Sequence, residues 1–113
     1  MTVLSKPNSE RIRELNDSFR QTFTVGRVVI TEGIDALSPQ IKAEVLQYVR
    51  TFDRFDREND PHSEHDFGSC DIAGQRFFFK IDYYGLDMES GSEDPADPTK
   101  TTRVLTIMKA EEY

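Results

Sequence analysis

Disulfide chemistry is excluded at once, because Cys70 is the only cysteine and no intrachain bridge can form. A lone thiol fits a reducing compartment, and the expected location is the cytoplasm. Long apolar runs are missing too. No stretch approaches the roughly 20 residues that a membrane span needs. Met1–Lys6 lacks the charged-then-apolar order of a signal peptide, so none is expected. Positive charge is scarce: 14 basic residues against 21 acidic ones leave a net charge of −7 and a pI near 4.8. Such a surface repels phosphate backbones, so direct nucleic-acid binding is not expected.

What the chain does have is aromatic residues, eight Phe and four Tyr in 113 residues. That supply excludes a wholly disordered chain, and the length suits one domain over 1–113. It also has segregated charge. Thirteen of the 21 acidic residues fall between Asp53 and Asp97, a window with only Arg54, Arg57, Arg76 and Lys80 as basic residues, for a local formal charge of −9. Folding needs no such segregation. It bears on solubility and partners instead.

Periodicity predicts the elements. Residues 1–8 read as a flexible arm. A helix follows from Ser9 to Phe23, with Ile12, Leu15, Phe19 and Phe23 on one stripe and Arg11, Arg13, Glu14, Asp17 and Arg20 on the wet side. Arg27–Thr31 is a short β-branched strand. Ser38 as N-cap and Pro39 at the first helical position start a second helix, which runs to Thr51 and buries Ile41, Val45, Leu46, Val49 and Phe52. Residues 53–65 form a polar loop. Asp66–Ile72 and Gln75–Tyr84 make a hairpin across Ala73-Gly74. The second strand turns Phe77, Phe79, Ile81 and Tyr83 to the core and Arg76, Phe78, Lys80, Asp82 and Tyr84 to the other face. After a loop over 85–100, Thr102–Met108 is the last strand. Helix-strand-helix followed by three strands predicts an α+β fold, with two helices packed on one face of a small antiparallel sheet.

Three clusters carry candidate chemistry. His62, Glu64, His65 and Asp66 offer metal-ligand types, with His62, His65 and Asp66 as the metal set. That spacing is not diagnostic, and a site would need Asp82 to complete it. The plainer reading is a solvated loop, and no cofactor is implied. His65, Lys80 and Asp82 form an acid/base set if the hairpin brings them together, as a small hydrolase or metal-dependent nuclease would require. The plainer reading of Lys80 and Asp82 is a surface ion pair. Third, the acids of the 53–97 window, with flanking tyrosines, form a candidate partner-binding surface. Its members are Asp56, Glu58, Asp60, Glu64, Asp82, Tyr84, Asp87, Glu89, Glu93, Asp94 and Asp97. Carboxylates along a rim imitate the phosphates for which a basic groove is built. Cys70, inside a strand, reads as a buried inert thiol.

The segments Arg-Ile-Arg-Glu-Leu-Asn-Asp (11–17), Glu-His-Asp-Phe-Gly (64–68), Phe-Lys-Ile-Asp-Tyr-Tyr (79–84) and Asp-Pro-Ala-Asp-Pro with Thr-Thr-Arg-Val-Leu-Thr-Ile-Met (94–108) resemble a family of small bacterial proteins of unknown function. Its members sit largely on plasmids, conjugative elements and phage-like islands. The resemblance covers nearly the whole chain and transfers no catalytic residue. It implies a mobile-element setting, in which short acidic proteins inhibit host defence by anti-CRISPR or anti-restriction action. The expected partner is therefore a basic, nucleic-acid-binding host protein.

Overall fold

The computed structural model describes residues 8–113. The arm expected over residues 1–8 lies, except for Asn8, outside the described residues. The elements run α1 (Asn8–Thr22), β1 (Arg27–Ile30), α2 (Glu32–Asp35), α3 (Pro39–Thr51), β2 (Phe67–Ile72), β3 (Gln75–Tyr84) and β4 (Thr102–Lys109), with a closing 3-10 turn over Ala110–Glu112. The fold is α+β, with the helices packed on one face of a four-stranded sheet.

The sheet order is β1-β4-β3-β2. The β2–β3 and β3–β4 pairs are antiparallel, as expected, and Ala73 and Gly74 both take the positive φ of a type I′ turn (53° and 76°). One edge differs from the expected all-antiparallel sheet. β1 lies parallel to β4, Arg27 beside Val104 and Ile30 beside Ile107. The reason is burial. β4 carries the run Val104–Ile107, which is buried along most of its length, and a strand buried on both faces belongs in the middle of a sheet. The chain therefore crosses from β1 through the helices to the far edge, and β4 comes last into the central place.

Phe77, Phe79 and Ile81 of β3 and Leu105 and Ile107 of β4 meet Phe19, Ile34, Val45, Val49 and Phe52 from the helices in one core. Ser38 Oγ accepts the Ile41 N–H at 3.3 Å and Pro39 opens α3, so the cap read from sequence is the cap used. The single turn α2 between β1 and α3 has no counterpart in the elements read from periodicity. Glu112 caps it from the far end of the chain, taking the Gly33 N–H at 3.0 Å and the Thr31 hydroxyl at 2.7 Å.

Arg20 corrects the expected wet side of α1, since it is only 2 % exposed. Its Nη1 donates to the carbonyls of Val49 (2.9 Å) and Phe52 (2.8 Å), groups that the C-terminus of α3 leaves without helical partners. Its Nη2 pairs with Asp17 at 3.0 Å, and its guanidinium lies over the Phe55 and Phe79 rings. Among the described residues no helix is long and apolar enough to cross a membrane.

Candidate functional site

Both acid-rich loops leave the same end of the sheet. Residues 53–66 lead into the start of β2, and residues 85–101 join the end of β3 to the start of β4. One side chain anchors both. Asn16, fully buried on α1, donates through Nδ2 to the Glu64 carbonyl at 3.0 Å and to the Tyr83 hydroxyl at 2.8 Å. Its Oδ1 accepts Arg103 Nε at 2.8 Å, and Arg103 Nη2 holds the Pro95 carbonyl. The Tyr83 hydroxyl donates in turn to Glu64 Oε1 at 2.9 Å. Burial, foremost, pushes the Tyr83 phenol well above its ordinary value, which keeps it a donor.

His65 pins the first loop. Its Nδ1 donates to the Asp17 carboxylate, 2.8 and 3.1 Å from the two oxygens, because an ionised carboxylate can only accept. Nε2 lies 3.7 Å from Asp60 Oδ2. The ring lies flat on Phe55, centroids 3.8 Å apart and planes within 5°. Asp60 takes the backbone N–H groups of Glu64 and His65 on one oxygen, at 3.0 and 3.2 Å. Ser63 and His65 both adopt positive φ (56° and 57°), a conformation that costs a non-glycine residue and persists only where surroundings impose it. Beside the imidazole opens a cleft of about 490 Å³, with Arg13, Arg57 and Ser63 in its wall.

The loop carboxylates are oriented by their own turns. Asp56 accepts the Glu58 and Asn59 amides, Asp87 those of Glu89 and Ser90, Asp94 that of Ala96 and Asp97 that of Thr99. Amide hydrogen bonds from Glu89 and Ser90 hold the Asp87 carboxyl below its usual value, and the Thr99 hydroxyl and amide do the same for Asp97.

The expected surface residues divide into three groups. Asp56, Glu58, Asp87, Glu89 and Glu93 stand exposed, with Asp94 and Asp97 half-buried beside them. Lys100 partly offsets Glu93 at 3.6 Å. Asp60 is a correction: at 5 % exposure, with its oxygens turned inward, it offers nothing to a partner. Glu64 is half-buried and occupied by Tyr83. Asp82 and Tyr84 lie on the outer sheet face, where Asp82 pairs with Lys80 at 2.9 Å and raises the lysine above its ordinary value.

The acid/base set His65, Lys80 and Asp82 is therefore not assembled. His65 is carried to the helical side, onto Phe55, while Lys80 and Asp82 alternate with the core residues Phe79 and Ile81 and so face away. The metal set His62, His65 and Asp66 is not assembled either. Among the described residues no group of three or more His, Cys, Asp or Glu side chains is placed to hold a metal ion. Asp66 is instead a partly buried carboxyl, which that burial raises above its ordinary value.

The organising residues that sequence reasoning missed are Asn16, Asp17, Arg20 and Arg103. A signal existed for two of them. Asn16 and Arg20 fall at helical spacing within the apolar stripe of Ile12, Phe19 and Phe23, where a polar residue is out of place unless it has buried partners.

A family model matches residues 30–112. The chain belongs to the DUF3768 family. That family is described as a protein of unknown function, and it passes on no activity. The DUF3768 match starts at Ile30, so α1, which carries Asn16, Asp17 and Arg20, lies ahead of it. No curated protein and no solved structure matches the chain.

Proposed function

We propose that this chain is a non-enzymatic docking protein whose acidic loops, 53–64 and 85–97, engage a basic, nucleic-acid-binding host protein and inhibit it. Anti-CRISPR or anti-restriction action in the cytoplasm, by a small bacterial protein from a mobile element, is the concrete form of this proposal. The observation that carries it is the shared anchor. The two loops of highest negative charge leave one end of the sheet and are tied to the same buried Asn16. Carboxylates held in place by turns lose little freedom on binding, which favours affinity. Their joint field steers a cationic receptor toward them.

Glu58, Glu89 and Glu93 are the residues to reverse, because they stand exposed and their carboxylates cap no turn. Tagged protein is used to capture partners from a bacterial lysate at graded salt, and the captured proteins are identified and assayed for nucleic-acid binding. Capture of a basic defence protein that weakens with salt, and is lost in the Glu58→Lys, Glu89→Lys, Glu93→Lys variant, supports the reading. Capture indifferent to both salt and charge reversal overturns it.

One observation favours a second reading, acid/base chemistry at His65. Asp17 holds Nδ1, as an orienting carboxylate does for a general base, and the imidazole borders an open cleft. Loss of the inhibitory effect in His65→Asn with docking retained would select this reading over the first.

A further inference from the structure

Between α1 and the loop that enters β4 lies a second, smaller cavity of about 160 Å³. Leu15, Phe19, Val25 and Pro98 give it apolar walls, and Arg103 reaches it from β4. Arg103 is 4 % exposed, yet its hydrogen bonds go to neutral groups, the Asn16 amide oxygen and the Pro95 carbonyl. Among the described residues it makes no ion pair with a carboxylate. The acid whose charge it feels, Glu64, is engaged by the Tyr83 hydroxyl. A buried guanidinium with no carboxylate paired directly to it is costly. Burial pulls Arg103 below its ordinary value for the same reason. An anion in the cavity would relieve that cost.

One further observation points to a guest and another limits its size. Val25, in the cavity wall, is 87 % exposed and holds φ at 63°. A β-branched residue in the left-handed region is a true outlier, and strain of this kind gathers at ligand clamps. The volume also limits the guest, since an apolar cavity of about 150 Å³ takes a benzene-sized molecule. Inorganic phosphate would pair with the arginine but leave the apolar walls unused.

We propose that this cavity binds a small organic carboxylate with a compact apolar body, the carboxylate pairing with Arg103 and the body resting on Leu15, Phe19 and Val25. The site shares Arg103 with the anchor of the 85–97 loop but uses none of the carboxylates of the docking surface.

Benzoate is the probe, titrated into the whole chain and followed by amide NMR. Saturable shifts at Leu15, Phe19, Val25 and Arg103 with a millimolar Kd are expected. Benzyl alcohol, of the same size without the charge, should bind at least tenfold more weakly, and phosphate should give no saturable shift there. Leu15→Trp, which fills the cavity, should abolish the shifts. Val25→Asp, a residue tolerant of this φ, should weaken benzoate at least tenfold by repulsion, and neither Leu15 nor Val25 is a hydrogen-bond partner of Arg103. Absence of saturable shifts at tens of millimolar benzoate overturns the site. Equal binding of benzyl alcohol overturns the role of Arg103, and equal binding of phosphate overturns the apolar contact. Unchanged binding in Leu15→Trp moves the guest elsewhere and overturns the proposal.

Discussion

Asn16 and Arg103, 87 residues apart in sequence, share a buried hydrogen bond of 2.8 Å. It joins the first helix to the last strand, and through the partners of each it joins both acidic loops. Removing the asparagine leaves the buried Arg103 Nε and the part-buried Glu64 carbonyl unpaired at once, and takes from the Tyr83 oxygen the donor it accepts, although the Tyr83 hydroxyl keeps its bond to Glu64. Each unsatisfied group costs roughly 1–3 kcal/mol, more where charge is involved. Asn16→Ala should therefore destabilise by about 3–5 kcal/mol in urea unfolding. A loss under about 1 kcal/mol would show that the network is not what ties the loops down.

His65 tests the same idea on one loop. Its ring brings a charge-assisted bond to Asp17, worth roughly 1.5–3 kcal/mol, and a stacked contact on Phe55. His65→Ala should cost about 2 kcal/mol. Amide exchange should quicken through residues 53–66 and leave β3 and β4 protected, because the bond holds a loop and not the core. Uniform quickening across the sheet would assign His65 to the core instead.

How much of this was legible follows from the range of each interaction. Ser38-Pro39 and Ala73-Gly74 are local signals, and they marked a helix start and a turn correctly. The alternation Phe77, Phe79, Ile81 is local too, and it named the core face of β3. The parallel pairing of β1 with β4 was not legible, because it joins Arg27 to Val104 and no local pattern encodes a strand's neighbour. Arg20 was misread because a long cationic side chain is normally a surface group. Its burial depends on the last carbonyls of α3, some 30 residues on. His65 was placed beside Asp82 by counting along an ideal hairpin, and a positive φ at His65 itself breaks that count. Local order was readable, whereas buried polar partners and backbone exceptions were not. The candidate site is made of those.

Gly68 illustrates a close approach that only glycine permits. A Cβ there would enter the Phe79 ring and come within 2.9 Å of Phe52 Cε1. Both rings belong to the core, so neither can step aside freely. Gly68→Ala should cost about 1–3 kcal/mol through overpacking, read as a lower urea midpoint with an unchanged slope. Pairing it with Phe79→Leu should recover part of the loss, since the smaller side chain vacates the contested space. No recovery in the double variant would place the strain in the backbone.

Cys70 supplies the pH prediction. It lies in β2 opposite Phe77, is 8 % exposed, and has its thiol pushed by burial, then by Asp71, from 9.0 up to about 11. The folded state thus holds the thiol proton more tightly than the unfolded chain does. The contribution of that proton to stability is complete below about pH 9, and it declines as pH rises through the folded value near 11. A tenfold difference in proton affinity corresponds to about 1.4 kcal/mol, so the full loss is roughly 2–3 kcal/mol. Lysines and tyrosines titrate in the same range, and Cys70→Ala is therefore the reference. Wild type should lose stability against Cys70→Ala between about pH 9 and 11. Its alkylation by iodoacetamide should stay slow at about pH 8.5, while the urea-unfolded chain reacts freely. Rapid alkylation of the folded protein at that pH would mean that the thiol is reached by solvent, and β2 would then be an edge that opens.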